Sequence, residues 1–161
     1  MIGDKPLKRN ENIQPLSRDH HFGLLFCWKI RIGLNARMET GRMISYLDYF
    51  WKGHLKEHFS EEEKLLFNKA DHSICDQANS EHVELTEIIN SVLDGRAVNA
   101  REALENIVGQ LKAHIRFEER LLFPFLERHL SEIQLIEIGQ QLDLERKVQF
   151  EDNYGDEFWI K

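Results

Sequence analysis

Apolar residues recur along this chain every third or fourth position, in long stretches, and almost nowhere in strict alternation. Such spacing lines one face of an α-helix, so the pattern predicts helices and no strands. A first helix is expected at about 17–36, with Ser17 as its cap, Asp19-His20-His21 in its first turn, and Leu24, Leu25, Cys27, Trp28, Ile30, Ile32 and Leu34 following. A second should run from near Glu39 to about Lys69. Its inward stripe reads Met43, Leu47, Phe50, Trp51, His54, His58, Glu62, Leu65 and Leu66, with Gly53 as the weak point. The stretch from Asp71 to Asn79, around Cys75, reads as a loop. A third helix is expected at about 77–93, with Val83, Leu85, Ile88, Ile89, Val92 and Leu93 facing inward and Asp94-Gly95 closing it. Asn99 is placed to cap a fourth, carrying Ala103, Leu104, Ile107, Val108, Leu111, His114, Glu118, Leu121 and Leu122. Pro124 should kink or end its regular ladder. Ser131 with Glu132 can start a short fifth helix through about Lys147, and the aromatic tail (Tyr154, Phe158, Trp159) should dock. Residues 1–14 read as a polar arm, with Pro6 and Pro15 as breaks.

Four long helices with short connections imply an all-α, up-down-up-down four-helix bundle with a short C-terminal fifth helix. A chain of 161 residues can bury one sizeable core, so a single domain is expected, its bundle at about 16–126 and its last helix and tail at 131–161. The net charge of −7 argues against nucleic acid or an anionic membrane as partner. No apolar run approaches the roughly 20 residues that span a bilayer. The polar start, Met1 to Arg9, does not resemble a secretory signal. Cys27 and Cys75 match neither a disulfide framework nor a zinc ribbon, which makes a reducing cytoplasm the natural setting.

The chemistry lies in a repeat. His58-Phe-Ser-Glu-Glu62-Glu63-Lys-Leu-Leu-Phe67 returns as His114-Ile-Arg-Phe-Glu118-Glu119-Arg-Leu-Leu-Phe123. Residues i and i+4 of a helix share a face, so each copy aims an imidazole and a carboxylate the same way. The first and third helices each add an acidic-His step, Asp19-His20 and Glu81-His82. Two pseudo-symmetric hairpins would therefore bring four imidazoles and two carboxylates into one core. Burying that set without a cation is costly, and two divalent metals would compensate. Imidazole-rich N/O ligands suit iron, zinc or manganese better than magnesium or calcium, and the lack of cysteine argues against a structural zinc site. His21 points about 100° away from His20 and is the alternative ligand on the first helix. His54, one turn before His58, could be a further ligand or could hold a ligand in place. Glu63 and Glu119 read as solvated or supporting groups, Leu-Leu-Phe as packing below the site, and Trp28 and Trp51 as core aromatics.

In this order and at these intervals, Asp19-His20, His58-x-x-x-Glu62-Glu63, Glu81-His82 and His114-x-x-x-Glu118-Glu119, followed by Phe123-Pro124, resemble the hemerythrin-like, or HHE cation-binding, domain. The resemblance spans about 16–126. It implies a four-helix bundle holding a non-heme di-iron centre. His20, His58, His82 and His114 would be terminal ligands, Glu62 and Glu118 bridges, and an oxo or hydroxo group would lie between the metals. Oxygen-carrying members have a second histidine where this chain has Thr86, and an aspartate where it has Glu118 and Glu119. The chain is thus more similar to the four-His, two-Glu branch that includes iron-sulfur repair proteins. More open metal positions favour reaction with oxygen, peroxide or nitric oxide over a single capped dioxygen site, and the resemblance alone does not imply reversible oxygen carriage.

The expected function is a metal-binding protein that binds or senses dioxygen or another small diatomic, or handles reactive oxygen or nitrogen species. Iron donation for cluster repair or iron storage is an alternative, and a metal-free helical interaction module is one of a different class. Ferritin-type oxidase chemistry is disfavoured, because those sites use Glu-x-x-His rather than His-x3-Glu spacing. No nucleophile triad or phosphate loop stands out, so no catalytic residue is assigned.

Overall fold

A computed structural model describes residues 8–146 and 148–160. All regular structure among them is helical. Helix α1 is Gln14–Asn35. Helix α2 is a continuous rod over 40–67: α-helical at Thr40–Phe50 and Lys56–Glu62, and wider, with π-type turns, at Trp51–Leu55 and Glu63–Phe67. Helix α3 is Ser73–Leu93. Helix α4 is a second rod, over 100–129, made of Ala100–Phe117, a π-type turn at Glu118–Leu122, and Phe123–His129. Helix α5 is Glu132–Glu145. The first four pack as the expected bundle, with α4 against both α1 and α3. No described helix is long and apolar enough to cross a membrane.

Several helix ends differ from expectation, each for a local reason. Pro15 starts α1 rather than breaking the arm, since its missing N–H falls where no helical bond is needed. Ser17 is therefore inside the helix, and its hydroxyl donates to Glu119 at 2.6 Å. The polar arm is pinned at its end, where Ile13 is fully buried. Most of the expected loop at 71–79 is helix, because the His72 ring accepts from the Ile74 amide and caps α3 early. Asn99 caps α4 through the Glu102 amide as expected. Ser131 forms a capping box, with Gln134 as its partner. Pro124 does not end α4; the ladder changes to a π-type turn just before it, and the rod continues to His129. Pro6 and Lys147 lie outside the described residues.

The core is split in two. One apolar cluster holds Phe26, Ile30, Tyr46, Phe50, Ile107 and Leu111 among others. The second holds Leu66, Phe67, Leu122 and Phe123 with Leu135, Ile138 and Leu142 of α5. The Leu-Leu-Phe segments feed this second cluster, except that Leu121 is exposed. Trp28, expected inside, is 56% exposed, and Val83 and Leu24 also face outward. Helix α1 has two apolar stripes, and Gly23, Phe26, Cys27, Ile30 and Leu34 are the one that turns inward. Trp51 is buried as expected. The tail docks: Phe158 is buried, and Asp152 accepts from Lys29 at 2.9 Å and from the Tyr46 hydroxyl.

Candidate metal centre

His58 and Glu62 leave α2 one turn apart, His114 and Glu118 leave α4 likewise, and α1 and α3 supply His20 and His82. All six side chains are buried, the two glutamates completely. They form two overlapping groups, His20-His58-Glu62-Glu118 and Glu62-His82-His114-Glu118, whose donor atoms lie within 4.8 Å of one another in each. The shared carboxylates divide their oxygens. Glu62 turns Oε1 to His58 (2.9 Å) and His20 (3.5 Å), and Oε2 to His82 (3.2 Å). Glu118 turns Oε2 to His20 (2.9 Å) and Oε1 to His114 (2.7 Å) and His82 (3.5 Å). The backbone changes at the same points: of the three π-type turns among the described residues, one begins right after Glu62 and another at Glu118. Such turns recur at functional sites.

Each imidazole is held from behind by a carboxylate. His58 Nδ1 faces Asp19 at 2.9 Å, His114 faces Glu81 at 2.9 Å, His82 faces Glu63 at 2.9 Å and His20 faces Glu119 at 2.7 Å. The acid preceding each lone histidine thus serves the histidine of the next helix, and the second glutamate of each repeat serves a lone histidine. The sequence pattern marks Asp19 and Glu81 only as neighbours of a ligand, and Glu63 and Glu119 only as solvated or supporting groups. The signal was their fourfold recurrence next to a proposed ligand.

This ring allows a test of whether cations fit. An ionised carboxylate only accepts, so each Nδ1 carries the proton and each neutral imidazole turns a lone pair inward at Nε2. The Nε2 atoms of His82 and His114 lie 3.0 Å apart. Both oxygens of Glu62, and Oε1 of Glu118, are buried without a hydrogen-bond partner. Lone pairs meeting lone pairs among buried side chains is the donor set of a cation cage, and its nitrogen–oxygen composition suits a transition metal. Without metal, protons take that place. Burial would lower His58, but Glu62 and Asp19 push it up to about 9. Burial is likewise outweighed at His82, pushed up to about 11 by Glu118, Glu62 and Glu63, and at His20 and His114, both raised by their carboxylates. Burial and Glu118 would raise Glu62, but His58 and His20 hold it at about 2. Burial is overcome at Glu118 too, held well below the usual range by His114, His20 and His82.

The other histidines separate cleanly. His21 is exposed, so His20 is the one that enters the cluster. His54 is buried but lies outside both groups, stacked on Phe150 at 4.5 Å, and its Nε2 has no partner. Burial lowers it to about 4, so it is a neutral ring packed among aromatics. Beside His20, His58 and His114 lies a cavity of about 10 Å³, walled by Gly23, Leu55, Phe59, Leu111 and Ile115. That is room for roughly one water-sized guest. A Cβ on Gly23 would come within 2.7 Å of Ile115 Cδ1, so glycine leaves this wall its place.

The family model described as Hemerythrin HHE cation binding domain matches residues 20–126, with a second match over 73–142. No curated protein and no solved structure gives a significant match.

Proposed function

The chain belongs to the hemerythrin HHE cation-binding family, and on that premise we propose that it is a non-heme di-iron protein that binds or senses dioxygen or handles a reactive oxygen or nitrogen species. The observation carrying this reading is the pair of buried His/Glu groups sharing Glu62 and Glu118, with carboxylate oxygens that no hydrogen bond satisfies. In this reading His20 and His58 would hold one metal and His82 and His114 the other, with Glu62 and Glu118 shared between the two groups. Bound iron would supply open coordination positions and redox chemistry for a small diatomic. The chain's own part is to fix the donors and keep the site dry. Asp19, Glu63, Glu81 and Glu119 hold each ring in the tautomer that turns Nε2 inward. Leu55, Phe59, Leu111 and Ile115 wall the adjoining cavity with apolar groups, which suits a small uncharged guest.

Metal analysis of protein expressed in iron-rich medium, with optical spectra before and after admitting oxygen, tests the reading. Two irons per chain and ligand-to-iron charge-transfer absorption that responds to oxygen are expected. Protein that purifies without stoichiometric metal would instead support the metal-free helical module. Stoichiometric metal with no optical response would remove the oxygen role.

A further inference from the structure

The four helices repeat, but the ends of the chain do not, and the two halves of the cluster are braced differently as a result. Behind His58, Asp19 accepts two bonds from Arg146 at the end of α5, Nη2 to Oδ2 at 2.6 Å and Nη1 to Oδ1 at 3.2 Å. The same guanidinium donates to Glu61 from Nε and Nη2, each at 3.0 Å. Behind His20, Glu119 accepts from Arg9 Nη2 at 2.9 Å and from the Ser17 hydroxyl at 2.6 Å, and Arg9 also reaches Glu127. Both carboxylates behind this half are therefore held by arginines from outside the four-helix repeat.

Among the described residues the other half has no such brace. Glu63, behind His82, has a side chain 44% exposed. Glu81, behind His114, takes one further bond, from the neutral amide of Gln77 at 3.0 Å. Among the described residues, no lysine or arginine lies within ion-pair distance of Glu63 or Glu81. A carboxylate held by a charged guanidinium, in a fork at Asp19 and by one nitrogen with the Ser17 hydroxyl at Glu119, keeps its imidazole oriented, whereas one without such a partner lets the ring swing with it.

We propose that Arg9 and Arg146 are positioning residues that lock the His20/His58 half of the cage, so that a metal held by His82 and His114 exchanges first. This rests on the di-metal reading given above. The His82/His114 half is then the route of loading and loss, and the locked half keeps its metal through the exchange. Retention is set by the two chain ends through hydrogen bonds onto Asp19 and Glu119, not by a difference in the ligands.

Zinc-loaded full-length protein mixed with excess chromophoric chelator tests this. Two release phases of equal amplitude are expected, the slow one at least tenfold slower. Arg146→Gln and, separately, Arg9→Gln should speed the slow phase by about 10–100-fold and leave the fast phase alone. Arg146→Lys should fall between Arg146→Gln and wild type, because an ammonium keeps the charge and loses the fork. Gln77→Ala, on the open side, should leave the slow phase unchanged. Single-phase release of two zinc ions from wild type would overturn the proposal. So would a slow phase unaltered in both arginine variants, or equal acceleration of both phases, which is what a general loosening of the fold would give. Binding of fewer than two zinc ions by wild type would instead sink the di-metal reading itself.

Discussion

Asp19 and Glu62 are both carboxylates near His58, yet they do different work. Glu62 faces the ring's Nε2 from inside the cluster, and Asp19 accepts from Nδ1 behind it. Asp19→Asn preserves shape but removes the charge that holds the ring proton. Metal affinity should fall about 10–100-fold with the fold intact, measured by chelator competition; unchanged affinity would show that Asp19 does not support the site. Glu118→Gln should cost more, because its two oxygens face different histidine groups, and metal content should drop from two ions to one or none. Cys27 contributes to the alkaline dependence of stability. Burial pushes the Cys27 thiol up to about 12, from an ordinary value near 9 in the unfolded chain. Burial, with Asp152 beside it, also raises the Tyr46 hydroxyl. Between those pH values the unfolded chain loses a thiol proton that the folded chain keeps. Stability contributed below pH 9 is therefore lost progressively as the pH rises towards 12. Denaturant melts over that range should show the decline, and Cys27→Ala should make it shallower.

At the scale of the element, spacing revealed the helices and left their phase and ends undecided. His58, Glu62, His114 and Glu118 were legible because His-x3-Glu works at any helix phase: i and i+4 stay together however the helix turns. Trp28 was not, because Leu24 and Trp28 form as good a stripe as Phe26 and Ile30, and only packing against α4 selects between them. The π-type turns at the glutamates leave no mark in a pattern read at 3.6 residues per turn. The early start of α3 was hidden for another reason, since histidine is an uncommon cap and His72 sits among loop-forming residues. Ser131 is the opposite case, a cap that could be read directly. Ser131→Ala removes its bond to the Gln134 amide and should destabilise the protein by about 1 kcal/mol, seen as a lower denaturant midpoint. No change in midpoint would mean that α5 does not unfold together with the bundle.

For the molecule as a whole, the repeat accounts for the symmetry of the cage, and the ends of the chain account for its stability and asymmetry. The tail returns across α1 and α2 after α5, with Asp152 meeting Lys29 and Tyr46, and Phe158 reaching the apolar cluster on one side of the site. Phe158 is only 2% exposed, and a Cβ added to Gly33 would lie 3.0 Å from its ring. Such a contact is core packing although it comes from the last residues of the chain. Phe158→Ala should therefore cost about 3–5 kcal/mol, the loss expected for a phenylalanine removed from an interior. Its ring packs with Tyr46 and Trp159 and is not among the cluster's donor groups, so the folded variant should still bind the same number of metal ions. Equilibrium unfolding and metal analysis on the same preparation separate the two effects. A loss under about 1 kcal/mol would put the tail outside the cooperative core. Full stability with lost metal would mean that Phe158 acts on the cage rather than on the fold.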